Sequence, residues 1–171
     1  SGNSFAVSGK DIVFPLLGIK NIGRALIDKI VYSRKEDGKF KSFYDFCKRV
    51  SGTELNRRAL ECLIKAGALD GLDMNRKEML QNLELAMESA SKENDMYAGG
   101  QMDLFSSFGG EGFTNDPVFA AFEEMPQSEL LSFEKEVSGL YFSGHPLDEY
   151  RKACDSLKCP KTTELYEYVE S

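Results

Sequence analysis

Residues 14–23 read FPLLGIKNIG, and the pattern that follows them decides the fold. Ile22, Ala25, Leu26, Lys29 and Ile30 recur near helical spacing, and Ile27 and Val31 widen the stripe. A helix is therefore predicted from Ile22 until Asp37-Gly38 breaks it. Upstream, Phe5-Ala6-Val7 and Ile12-Val13-Phe14 are short β-prone runs separated by Ser8-Gly9-Lys10-Asp11. They predict a β-hairpin that Pro15 ends. Downstream, Ser42 with Asp45 resembles a capping box for a short helix that Gly52 stops. Asn56 opens another helix through Leu60, Leu63 and Ile64, with Gly67 as its left-handed cap. Asn75 with Glu78 starts a long helix through Met79, Leu80, Leu83 and Met87.

From about Ser89 to Gln127 periodicity is lost, and Gly pairs and serines dominate. A loop or linker is expected there, and loops of that length are commonly functional or disordered. Ser128 starts a further helix to about Val137, a turn falls at Gly144-His145-Pro146, and a short helix follows near Leu147–Cys154. The expected division is 1–90 as one mainly α module led by the β-hairpin, 91–127 as a flexible linker, and 128–171 as a helical extension.

The chain has 171 residues and a net charge of -7. The balance is uneven: residues 1–67 hold 13 Lys+Arg against 7 Asp+Glu, while residues 68–171 hold 8 against 21. A basic first part suits a polyanion, because cations that neutralise phosphates release condensed counterions. Solvated helix faces would carry the same charges. No apolar run approaches the roughly 20 residues that span a bilayer. Nor does the N-terminus resemble a signal peptide. Ser1-Gly2 has the look of a cloning remnant, which would make this a piece of something longer. Cys47, Cys62, Cys154 and Cys159 form no C-x-x-C pair, so zinc is not expected and a reducing cytoplasm is. His145 is the single histidine, which leaves metal and Ser-His-Asp chemistry poorly supplied.

Two segments share a plan of helix, Gly-containing turn and helix: Ile19-Lys20-Asn21-Ile22-Gly23, and Lys65-Ala66-Gly67-Ala68-Leu69-Asp70-Gly71. The first amides of the helix each turn feeds are unpaired, and with the positive end of the helix dipole they suit a phosphate oxygen. Gly or Asn allows positive φ and close approach. Lys20, Arg24 and Lys65 add charge. Such contacts hold DNA without reading its bases. Turns of this kind also link ordinary helices, and Gly67 could be only a helix stop. Asp70 would repel phosphate, so the second turn is expected to be the poorer ligand or mostly structural.

Gln101-Met102-Asp103-Leu104-Phe105 sits between Gly99-Gly100 and Ser106-Ser107. Leu104 and Phe105 would either staple the loop to its own domain or enter a partner's apolar pocket, where each contributes roughly 1.5–3 kcal/mol before ordering costs. Phe108, Phe113, Phe119 and Phe122 could stack on bases, although their acidic surroundings favour packing or partner contact.

FPLLGIKNIG, FKSFYDFCKRV and LNRRALECLIKAGALDGL followed by NR resemble the tandem helix-hairpin-helix region of bacterial replicative DNA polymerases, the alpha subunits of DNA polymerase III. The resemblance resumes in EKEVSGLYFSGHPLDEY, residues 134–150. It implies a mainly α tandem helix-hairpin-helix module that grips duplex DNA through Lys20, Asn21, Ile22, Gly23, Arg24, Lys65 and Gly67. Asn21 stands where the family often has Gly; Asn tolerates the left-handed region, so the turn should survive with a less close phosphate contact. QMDLF is similar to the family's internal sliding-clamp binding motif. Gln101 would then bond at the pocket rim, Leu104 and Phe105 would fill it, and Met102 and Asp103 would occupy tolerant positions. A tether beside a DNA-binding module raises effective concentration on DNA.

A polymerase site needs paired carboxylates on Mg²⁺, and no short D-x-D was found on a strand. Glu123-Glu124 and Asp148-Glu149 read as solvated acids, and His145 as a residue that shapes its turn. The resemblance places the catalytic palm before this region and an oligonucleotide-binding domain after it. The expected function is thus a non-catalytic fragment of a DNA-directed DNA polymerase, a nucleotidyltransferase acting in chromosomal replication. It needs no cofactor itself, while the parent needs Mg²⁺. Its partners would be duplex DNA, the sliding clamp and other replicase subunits, in the bacterial cytoplasm at nucleoid replication forks and with no membrane. The alternative is a free-standing helix-hairpin-helix DNA-binding or repair module whose acidic tail recruits a protein. A third reading is an adaptor with no DNA role.

Overall fold

The computed structural model describes residues 4–98 and 116–157. Strands β1 (Ala6–Ser8) and β2 (Asp11–Val13) pair antiparallel with Ala6 opposite Val13. A single 3-10 turn, Leu16–Gly18, leads to α1 (Arg24–Glu36). There follow α2 (Phe43–Val50), α3 (Arg57–Lys65), α4 (Arg76–Gln81), α5 (Leu83–Ala98) and α6 (Gln127–Ser138). A 3-10 turn, Asp148–Tyr150, and α7 (Arg151–Ser156) come last. The fold is mainly α with a short N-terminal β-hairpin, as the sequence predicts.

The core gathers the inward stripes of the first helices. Leu26 and Ile27 of α1, Phe43, Phe46 and Val50 of α2, and Leu60, Leu63 and Ile64 of α3 are nearly or fully buried, with Met79, Ala86 and Ala90 closing the far side. Each fully buried Leu, Ile or Phe contributes about 1.5–3 kcal/mol. Cys47 lies among them, and burial pushes its thiol up to about 12, so it serves as a small apolar filler. Arg49 ties α2 to the end of α1: it donates to the carbonyls of Ser33 at 2.6 Å and Gly38 at 3.0 Å.

Three local expectations change. The Ser42 hydroxyl does accept from the Asp45 amide, but Asp45 reaches back to the Lys41 amide at 2.9 Å and not to Ser42. The long helix from Asn75 breaks at Asn82, whose buried side chain donates to the Ala120 carbonyl at 2.8 Å and accepts from the Ala120 amide at 3.0 Å. Two bonds from one side chain to an outside strand of chain fix Asn82 as the join between α4 and α5.

The expected linker 91–127 begins inside α5, and its last part, residues 116–126, is a strap laid across α4 and α2. Phe119 stacks against Phe43 and Tyr44 with ring centroids 6.3 and 6.2 Å away, so it packs on protein. Phe108 and Phe113 lie outside the described residues. His145 shapes its turn as expected, its ring nitrogen accepting from the Leu147 amide at 3.2 Å.

Candidate nucleic-acid interface

In the first turn the apolar residues point in and the polar ones out. Ile19 and Ile22 are buried, while Lys20, Asn21, Gly23, Arg24 and Ala25 are exposed. Ile22 therefore holds the turn's shape and offers a ligand only main chain. Asn21 has φ 61°, the left-handed conformation expected of it. Its side chain turns inward and donates to Cys62 Sγ at 3.2 Å. The Lys20 amide donates to the Val137 carbonyl at 2.9 Å, which leaves its ammonium as that residue's outward group.

The N-terminus of α1 is open. Gly23 gives no side-chain cap, no acid stands in the first turn, and the first intrahelical bond runs from the Ile27 amide to Gly23 at 3.2 Å. The amides before Ile27 thus lack an intrahelical acceptor. Gly23 has φ -88°, which any residue adopts, and an added Cβ there would meet nothing within 4 Å. The fold itself places no demand for glycine at 23. What glycine adds is clearance on the outer side, where an anion would approach. Lys20 and Arg24 flank it with no carboxylate partner among the described residues.

The second turn is closed from within. The Gly67 amide donates to Ile64 and that of Ala68 to Leu63, which completes the helix stop with Gly67 at φ 71°. Lys65 is held by Glu61 at 3.0 Å and Glu136 at 3.4 Å, above the Phe133 ring. At α4 the amides of Arg76 and Lys77 donate to Glu124 at 3.0 and 3.2 Å. Asn75 and Glu78 complete a capping box. A carboxylate of the chain already holds the place a phosphate would take, so Glu124 is engaged and not merely solvated. Among the named candidates, the structure brings Lys20, Asn21, Gly23 and Arg24 to one surface and turns Lys65 and Gly67 inward. Gln101 to Phe105 lie outside the described residues.

The reason lies in residues the sequence reading did not single out. Arg76 is nearly buried; it grips Asp70 with two nitrogens, at 2.9 and 2.6 Å, and Glu134 at 2.9 Å. Burial alone would raise the Glu134 carboxyl. The amides of Phe142 and Ser143 and the Arg76 guanidinium outweigh it and hold the carboxyl below its usual range. The Asn75-x-x-Glu78 box marks where Arg76 starts its helix; nothing local marks its distant partners. Several N-terminal cations are likewise paired, Lys29 with Glu54 and Arg57 with Glu84, so the basic excess is not one face.

A family model described as a helix-hairpin-helix motif matches residues 1–79. The DNA polymerase III subunit alpha of Borreliella burgdorferi is 41% identical over 161 residues, 91% of this chain and 14% of that protein. The corresponding subunit of Deinococcus radiodurans is 36% identical over 160 residues, 93% of the chain and 12% of the relative. That of Bacillus subtilis is 38% identical over 150 residues, 86% and 13%. The chain fits a segment of the DNA polymerase III alpha subunit. It spans only 12–14% of the length of these relatives. Within the chain, the helix-hairpin-helix match takes in both turns and stops inside α4, leaving the strap and α6 beyond it. Among the described residues no group of three or more His, Cys, Asp or Glu could hold a metal ion. No described helix is long and apolar enough to cross a membrane.

Proposed function

We propose that this chain is a duplex-gripping segment of a replicative DNA polymerase, the parent being a Mg²⁺-dependent DNA-directed DNA polymerase working at bacterial replication forks. The first turn binds a phosphate of the backbone without reading sequence, and the second turn is its structural support. The observation that carries this reading is the contrast between the two helix starts. The amides that open α1 lack an intrahelical acceptor and stand beside the exposed Lys20 and Arg24, whereas those of α4 are taken by Glu124. Aligned amides with flanking cations suit an anion, and contacts to phosphate alone give sequence-blind, salt-sensitive binding.

Residues 101–105 are the proposed sliding-clamp tether, supported by the similarity of QMDLF to the family's motif. Other replicase subunits are further proposed partners.

Fluorescence anisotropy with mixed-sequence duplexes tests the DNA reading. Affinity should fall steeply with salt, and Lys20→Ala with Arg24→Ala should lower the salt slope by about one per residue. Unchanged affinity and slope in that double variant would overturn it. For the tether, Leu104→Ala with Phe105→Ala should abolish binding of the chain to purified clamp; undiminished binding would refute that part alone.

A further inference from the structure

The first turn is shaped by residues far beyond the helix-hairpin-helix match. Gly139, at φ 78°, ends α6, and its amide closes the helix on Lys135. The carbonyl of Val137, in the last turn, is left to accept from the Lys20 amide at 2.9 Å. Five residues on, the Phe142 ring meets Phe14 at 5.0 Å. Phe14 in turn covers Gly18, where an added Cβ would stand 2.5 Å from the ring. Both ends of the leading 3-10 turn are thus held by one short stretch. That stretch is itself seated by Glu134, which takes the amides of Phe142 and Ser143 with one oxygen and Arg76 with the other.

We propose that Glu134 to Phe142 form a positioning element for the duplex-gripping turn, so that the DNA-binding unit includes α6 and the loop behind it. Glu134 and Phe142 are positioning residues: they touch no phosphate, and act by fixing where Lys20, Gly23 and Arg24 stand. The proposal rests on the reading that the first turn binds DNA. It adds that binding depends on a second, sequence-distant element, which the 1–79 match does not contain.

The test uses the full chain, a fluorescein-labelled mixed-sequence duplex, and amide hydrogen exchange read at Lys20 and Leu60. Glu134→Gln should weaken duplex binding roughly fivefold or more, the lower end of coupling between separate sites. Exchange at Lys20 should quicken while Leu60, deep in α3, keeps its protection, a split that general destabilisation would not give. If Glu134→Gln does not fold, Phe142→Ala takes its place, since that ring is 42% exposed. Unchanged affinity and unchanged Lys20 exchange in the folded variant would overturn the inference, provided Lys20→Ala with Arg24→Ala still weakens binding. Failure of that double variant to weaken it would instead strike at the DNA reading itself.

Discussion

Arg76 Nη1 and Glu134 Oε1 lie 2.9 Å apart although 58 residues separate them, and their side chains are 5% and 0% exposed. This buried ion pair, with the more exposed Lys65–Glu136 pair at 3.4 Å, therefore joins the second turn and α4 to α6. Removing one partner from a buried pair leaves the other charged and unsolvated, which typically costs about 3–5 kcal/mol. Arg76→Ala and Glu134→Ala should each lower the unfolding free energy, read by urea titration, toward that scale. Arg76→Met with Glu134→Leu should cost clearly less than the two singles combined.

The same carboxylate sets an acid response. Its folded value lies below the ordinary carboxylate value, so its stabilisation is fully present above the unfolded value of about 4.3 and is lost as pH falls through the lower, folded one. Urea titrations from neutrality downward should show stability dropping through the acid range. Glu134→Gln should be less stable at neutrality and show a shallower drop.

Gly67 meets two separate demands. An L side chain at φ 71° costs roughly 1–2 kcal/mol. Its Cβ would also sit 2.1 Å from Arg76 Nη2 and 2.8 Å from Asp70 Oδ2. Gly67→Ala should therefore destabilise by more than about 2 kcal/mol. Gly23→Ala, in open space at ordinary φ, should leave the unfolding free energy within about 1 kcal/mol of the parent while reducing duplex affinity. A comparison of the two melting curves and binding isotherms checks both statements.

Asn82 fastens the strap through both its amide atoms on Ala120. Asn82→Ala should cost about 1–3 kcal/mol and speed proteolytic cutting within residues 116–126, read by mass spectrometry of the fragments. An unchanged cleavage rate would show that Phe119, Phe122 and Glu124 keep the strap down without Asn82.

The helices were legible because their signals are local. Apolar stripes at helical spacing, Asn56 and Asn75 as caps, and Gly67 as a stop act within one or two turns of chain. Asn21 was legible for the same reason: few residues other than glycine accept its φ. Which helix start keeps its first amides unpaired was only partly legible. Asp70 hinted that the second would bind poorly, but as a repelling charge, whereas it is the anchor for Arg76. The strap was missed because Phe119 and Glu124 have no periodicity of their own and find their partners on α2 and α4.

Taken alone, the order of residues determined the helical elements, the β-hairpin and the two turn chemistries, since backbone conformation answers to near neighbours. Tertiary structure decided that α1 keeps its first amides open, that Glu124 fills those of α4, and that Val137 supports Lys20. Those outcomes hang on hydrogen bonds between groups tens of residues apart. Their formation depends on the packing of whole helices, and no local pattern in the chain encodes that.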